Sequence, residues 1–167
     1  MEILGISAFY HDAGACLIDD EHPDLIVAAA QEERFTREKH DPLFLVNAIN
    51  NVLKWAGTLI SELDAVIFYD KPFLKFDRLI ETYYAFALKG VFQFIDSMMV
   101  WMKKKLFLKD NVCSKLKATE KRLLEEKFDE DKVRNVPILF TEHHLSPAAS
   151  AFYPSPYERK YFVLGSE

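Results

Sequence analysis

Cysteine is scarce in this chain. Cys16 and Cys113 are the 2 in 167 residues, and they lie in apolar or amphipathic runs with no CxxC or Cys/His spacing. A disulfide framework is excluded on that count, and reduced thiols in a cytoplasmic protein are expected. Glycine and proline are few as well, 5 and 7 positions, which excludes collagen-like repeats and low-complexity linkers. Positive charge is not in excess: 21 Lys and Arg stand against 26 Asp and Glu, a formal net charge of -5. No overall field gathers nucleic acid, and none is expected as a partner. The start, Met1-Glu2-Ile3-Leu4, lacks the basic and extended apolar regions of a signal peptide, so export is not expected.

Long uninterrupted apolar runs are missing too. The stretch from Tyr83 to Met102 is rich in Phe, Met and Trp, but Lys89, Gly90, Gln93 and Asp96 interrupt it. A spanning helix wants about 20 nearly uncharged residues. Phe92, Ile95, Met99 and Met102 recur instead at three- and four-residue steps, the stripe of a helix facing a core. No membrane partner is expected. An interfacial helix followed by Lys103, Lys104 and Lys105 is the competing reading of that stripe, and a groove for a partner protein is another.

What is present is a globular pattern: half the residues are apolar and 28% are charged. A chain of this size forms one domain that buries roughly 70% of its unfolded surface. Three short apolar runs, Ile3 to Ser7, Gly14 to Asp19 and Leu25 to Gln31, are separated by turn-rich residues and predict successive strands. Asp41 is placed to cap a helix with Pro42 at its first position, and Phe44, Ala48, Val52 and Ala56 follow at four-residue spacing until Gly57. Ala65 to Tyr69 predicts a buried strand. A helical region follows over about 76–128, broken near Gly90 and near Asp110-Asn111, so that an insertion is placed at about 73–132. Pro137 to Phe140 predicts a strand, Ser146-Pro147 the start of a small helix through Phe152, and Tyr161 to Leu164 a last strand. This order fits an α/β fold, a mixed sheet with helices on both faces.

Three clusters carry candidate chemistry. Tyr10-His11-Asp12-Ala13-Gly14 sits between the first two strands, where His11 and Asp12 are a titratable pair and small residues allow close backbone approach. A plain turn, with Asp12 bonded to nearby amides, fits the same residues. After the third strand comes Glu32 to Asp41, seven ionised side chains and His40 in ten positions. Arg34, Arg37 and Lys39 offer a fork, a fork and a point charge to a phosphate or carboxylate; a solvated, self-compensating loop is the alternative. The third cluster is Glu142-His143-His144-Leu145-Ser146 with Pro147 to Ala151. Adjacent histidines cannot both face one side of a regular element, so a metal there needs a further ligand three or four residues away or from a distant strand, and none lies at four residues; one buried and one exposed histidine is the alternative.

Taken together, these segments resemble the N-terminal part of the O-carbamoyltransferase family of the nodulation-protein and cephamycin type. The carrying residues are Ile3-Leu4-Gly5-Ile6-Ser7 with His11-Asp12-Ala13-Gly14-Ala15, Gln31 to Arg37 with Lys39-His40-Asp41, Phe68-Tyr69-Asp70-Lys71-Pro72, and Glu142 to Ser146 with Ala148 to Pro156. The resemblance spans essentially the whole chain and implies an actin-like ATPase, or ribonuclease H-like, first subdomain. In the family, a second domain makes carbamoyl-adenylate from carbamoyl phosphate and ATP, and the first passes the carbamoyl group to a hydroxyl of a small molecule. The resemblance puts His11 and Lys39 in the transfer site as catalytic residues. It puts Asp12, Gly14, Arg34, Arg37, His40 and Ser146 around substrate or nucleotide, and His143 on an iron-type divalent metal.

The chain also departs from the family pattern. Where the family reads His-His-x-Ser-His, the fifth position here is Pro147, which has no donor atom to offer a metal. Where it continues into Asp-Gly-x-Gly-Glu, the sequence reads Gly165-Ser166-Glu167. Leu45 stands where a proline is usual. The expectation is therefore an incomplete carbamoyltransferase domain, residues 1–167, inactive alone or dependent on a C-terminal carbamoyltransferase partner chain. A nonenzymatic interaction module is the reading from another class.

Overall fold

The computed structural model describes residues 1–9, 12–22, 25–71, 81, 107–124, 128–142, 145–153 and 156. Five strands are described: β1 (Glu2–Ser7), β2 (Gly14–Asp19), β3 (Ile26–Gln31), β4 (Ala65–Phe68) and β5 (Ile138–Phe140). They form one mixed sheet in the order β3-β2-β1-β4-β5. The first three are an antiparallel meander, while β4 runs parallel to β1 and β5 parallel to β4. The α/β class and the mixed sheet expected from the sequence are thus present.

Residue alternation builds the core. Leu4 and Ile6 of β1, Ala15 and Leu17 of β2, and Val66 and Phe68 of β4 are buried in one cluster. In a pleated strand, alternate residues share a face, so Gly5, Ser7, Gly14, Cys16 and Ile67 belong to the other one. Helix α1 (Glu33–Thr36) is a single turn, and α2 (Val46–Ala56) packs over β2 and β3. Ala48, Ile49, Val52 and Leu53 of α2 are buried while Lys54 and Trp55 are exposed, the stripe an amphipathic helix needs. Gly57 closes α2 with φ of 73°, a conformation that suits glycine, and its amide donates to the Leu53 carbonyl. A 3-10 turn (Ile60–Glu62) leads into β4. Helix α3 (Leu108–Leu124) adds Leu108, Val112 and Leu116 to the core, α4 (Glu130–Asn135) adds Val133, and α5 (Leu145–Phe152) follows β5.

Several boundaries differ from the pattern-based expectations, for identifiable reasons. Asp41 does not cap α2. It is 4% exposed, and its Oδ1 accepts from the Leu43 amide in a local turn, so the helix begins four residues after Pro42. The cap comes from outside the helix: the buried Glu32 carboxylate accepts from the amides of Asn47 at 3.2 Å and Ala48 at 2.7 Å, and from Asn47 Nδ2 at 2.7 Å. Helix α3 runs without interruption through Asp110-Asn111, because Leu108, Val112 and Leu116 keep four-residue spacing across that pair and hold it to the core. Helix α4 was not anticipated; its N-cap Asp129 accepts from the amides of Asp131 and Lys132. Helix α5 starts one residue before Ser146. The Tyr83–Met102 stripe and the expected strand Tyr161–Leu164 lie outside the described residues. Among the described residues, no helix is long and apolar enough to cross a membrane.

Candidate functional site

Strand direction decides which loops meet. β1 ends at Ser7, which pairs with Gly14 at the start of β2; Gly14 in turn pairs with Gln31 at the end of β3. Ile6 pairs with Phe68 at the end of β4, and Phe68 with Phe140 at the end of β5. The β1–β2 connection and the segments leaving β3, β4 and β5 therefore all emerge at one end of the sheet. Backbone bonds stitch this end together: the Glu32 amide donates to the Ala13 carbonyl at 2.8 Å, Tyr69 to Ile6 at 3.2 Å, and Thr141 to Phe68 at 3.0 Å. In open α/β sheets, ligands bind outside the carboxyl ends of the strands.

Two features occupy this end. The first is a side-chain cluster in which one ligand-type atom from each of Asp12, Glu33 and His40 lies within 4.8 Å of the other two. Asp12 and His40 are exposed and Glu33 is half-buried. The cluster is organised by its loop: the His40 amide donates to Glu33 Oε1 at 2.8 Å, and Asp12 and His40 have φ of 57° and 58°. Left-handed backbone of this kind is uncommon outside glycine and turns each side chain out of the run its neighbours would follow. The buried Glu32, bonded to α2, fixes the position from which Glu33 projects.

The second feature is a cleft of about 680 Å³ on the sheet face opposite the core. Gly5, Gly14, Cys16 and Ala29 floor it with small side chains, and Arg34, Phe35, Tyr69, Thr141 and Ser146 stand among its walls. Gly14 is small for a packing reason as well, since a Cβ there would stand 3.3 Å from the Ala30 carbonyl oxygen. Burial pushes the Cys16 thiol up from its ordinary value, which favours the protonated form.

Of the residues singled out in the sequence, Asp12 and His40 come together, while Gly14, Arg34 and Ser146 line the cleft. Arg37 and Lys39 are exposed and are not among the residues that line the cleft. His11 and His143 lie outside the described residues. Sequence reasoning passed over Glu32 and Glu33 individually, and Cys16, Tyr69 and Thr141. The cleft floor was accessible to it in principle: residues 5, 7, 14 and 16 share a face by alternation, and all are small.

A sequence model of the family described as Carbamoyltransferase N-terminus matches residues 2–165. The chain belongs to that family. It is 48% identical over 156 residues to the uncharacterized protein sll1178 of Synechocystis sp., covering 93% of this chain and 24% of that protein. It is 28% identical over 153 residues to nodulation protein NolNO of Sinorhizobium fredii, covering 92% of this chain and 19% of the relative. A third relative, the uncharacterized protein MJ1058 of Methanocaldococcus jannaschii, is 28% identical over 184 residues, with 94% of this chain and 29% of its own length covered. The chain thus spans between about a fifth and under a third of these relatives.

The iron-type metal that the family resemblance implies does not fit the donor set at the third cluster. Position 147, in the first turn of α5, is proline, so the second ligand of the expected pair is missing.

Proposed function

We propose that this chain is the acceptor-side domain of an O-carbamoyltransferase, working in the cytoplasm and passing a carbamoyl group from carbamoyl-adenylate to a hydroxyl of a small molecule. The observation that carries the reading is the meeting of the β1–β2 and β3–α2 loops at one sheet end, beside a cleft lined by Arg34, in a chain of the carbamoyltransferase N-terminus family. An antiparallel meander continued by two parallel strands also supports the actin-like, ribonuclease H-like reading of the fold.

The chemistry asks for few parts. The acceptor oxygen attacks the carbamoyl carbon, the bond from that carbon to the adenylate phosphate oxygen breaks, and AMP leaves with the electron pair. The hydroxyl proton goes to a base, the role proposed for His11, and cations offset the charge that collects on the leaving phosphate, the role proposed for Lys39 with Arg34 and Arg37. Asp12 and His40, which stand near Glu33, are proposed to orient that base and the acceptor. Gly14 and Ser146 shape the adjoining cleft. Formation of carbamoyl-adenylate from carbamoyl phosphate and ATP falls to a C-terminal carbamoyltransferase portion, supplied by a longer polypeptide or by a partner chain.

The test combines the 167-residue chain with the C-terminal portion of a relative, carbamoyl phosphate labelled on its carbon, ATP and a panel of hydroxyl acceptors. Label is expected in an acceptor ester only when both proteins are present, and His11→Ala or Lys39→Ala should lower transfer by at least about a hundredfold. If the C-terminal portion makes carbamoyl-adenylate and no label leaves it in the presence of this chain, the reading fails.

A further inference from the structure

Outside the family's expected metal position, Asp12, Glu33 and His40 form a second donor set. They come from three separate segments: the β1–β2 loop, the first residue of α1 and the loop before α2. One donor atom from each lies within 4.8 Å of the others. Donors sharing one first-row ion at about 2.0–2.2 Å stand about 3 to 3.5 Å apart, so closing on an ion needs movements of about 1–2 Å, within the reach of side-chain rotation. We propose that Asp12, Glu33 and His40 bind a first-row divalent cation of the manganese or zinc kind at the loop end of the sheet.

The donor chemistry selects the class. Two carboxylates alone suit magnesium or calcium, whereas an imidazole beside them moves the preference to the first-row ions. Two carboxylate charges also balance a divalent ion, and in its absence they repel each other across the cluster. The site has a supporting shell. Glu33 Oε1 accepts from the His40 amide at 2.8 Å, and a carboxylate has a second oxygen with which to bind an ion while that bond remains. The neighbouring Glu32 is 2% exposed and bonded to the start of α2, which fixes the backbone at Glu33. Three protein donors leave coordination positions for water or for an anionic oxygen of a ligand, and the exposure of Asp12 and His40 keeps those positions open. The site stands on its own geometry and does not depend on the carbamoyl-transfer reading.

Manganese titration of the full 167-residue chain, followed by electron paramagnetic resonance, tests the proposal. The chain carries His143→Ala and His144→Ala, so the other histidine pair contributes nothing. The expected result is one saturable Mn²⁺ per chain with the pulsed-resonance signature of one imidazole nitrogen. His40→Gln should erase that signature and weaken binding by at least about tenfold, and Glu33→Gln and Asp12→Asn should weaken it similarly. His40→Asp restores a donor, so it should recover most of the affinity while leaving the nitrogen signature absent. That variant separates ligation from damage to the fold, which circular dichroism monitors in parallel. No saturable binding to the folded chain, binding unchanged by all three substitutions, or a nitrogen signature that survives His40→Asp would each overturn the site.

Discussion

The two faces of the sheet are made by the same strands and behave as opposites. One face presents Leu4, Ile6, Leu17, Val66 and Phe68, all at most 3% exposed; the other presents Gly5, Ser7, Gly14, Cys16 and Ala29 to the cleft. Polarity does not separate them, since both are largely apolar. Side-chain size does. Large residues on the first face bury enough area to hold the helices, at about 1.5–3 kcal/mol for each large side chain fully buried. Small residues on the second leave room for a ligand. The comparison predicts that truncation on the core face is felt as lost stability and enlargement on the cleft face as lost binding. Phe68 is the sharpest place to break it, because its ring meets Phe9, Tyr69 and Phe140 as well as the core. Phe68→Ala is expected to cost about 3–5 kcal/mol in urea denaturation. A loss under about 1 kcal/mol would mean that the core face is not where stability lies.

Glu32 sits at the seam between the two faces, and the second prediction concerns it. Its carboxylate is buried and caps α2 from a distance, so Glu32→Ala leaves two helix amides without their acceptor. The expected cost is about 2–3 kcal/mol in the same measurement, with Glu32→Gln recovering part of it. Because Glu33 follows directly, the variant should also loosen the Asp12–Glu33–His40 cluster, visible as faster amide hydrogen exchange over residues 33–40. Unchanged exchange would show that the loop is held by other bonds.

The cleft face gives the complementary outcome. Ala29→Leu fills part of the floor, and a change under about 1.5 kcal/mol is expected because Ala29 is exposed rather than packed. The same variant should abolish binding of a nonhydrolysable carbamoyl-adenylate analogue measured calorimetrically. Gly14→Ala is a finer probe: a Cβ there meets the Ala30 carbonyl oxygen at 3.3 Å, and a cost of about 1 kcal/mol from the tightened strand pair is expected. If Ala29→Leu binds the analogue as well as the original chain, the cleft is not the binding face.

How much of this was legible follows from where the information resides. Strands β1, β2 and β4 were readable because Leu4, Ile6, Leu17, Val66 and Phe68 write their burial into local alternation. The body of α2 was readable for the same reason, through Ala48 and Val52. Its start was not: Asp41 and Pro42 look like a cap and a first turn, but the acceptor that satisfies the helix amides is Glu32, ten positions before Pro42 and identifiable only once β3 and α2 are packed. The meeting of Asp12 with Glu33 and His40 was hidden for a related reason. It depends on β2 reversing between β1 and β3, a pairing of strands that periodicity within each strand does not specify. The cleft required both levels, alternation to place the small residues on one face and topology to bring Arg34, Thr141 and Ser146 around them.

The smallest effect belongs to neither face and serves as their control. Lys117 of α3 and Glu130 of α4 form an ion pair at 2.9 Å, with Glu130 well exposed. The hydrogen bond from Lys117, followed by its charge, holds the Glu130 carboxyl below the ordinary glutamate value of 4.5. A carboxyl whose folded value is depressed stabilises the fold above the unfolded value, and that contribution is lost as pH falls through the folded value. Glu130→Gln should therefore lower Tm slightly at neutral pH, by less than any substitution above, and the difference should shrink as pH drops below about 4.5 and as salt is added. Analogue binding should not change. A Tm loss as large as that of Glu32→Ala would mean that the α3–α4 contact anchors the domain as firmly as the sheet does, and the division of labour between the two sheet faces would then account for only part of its stability.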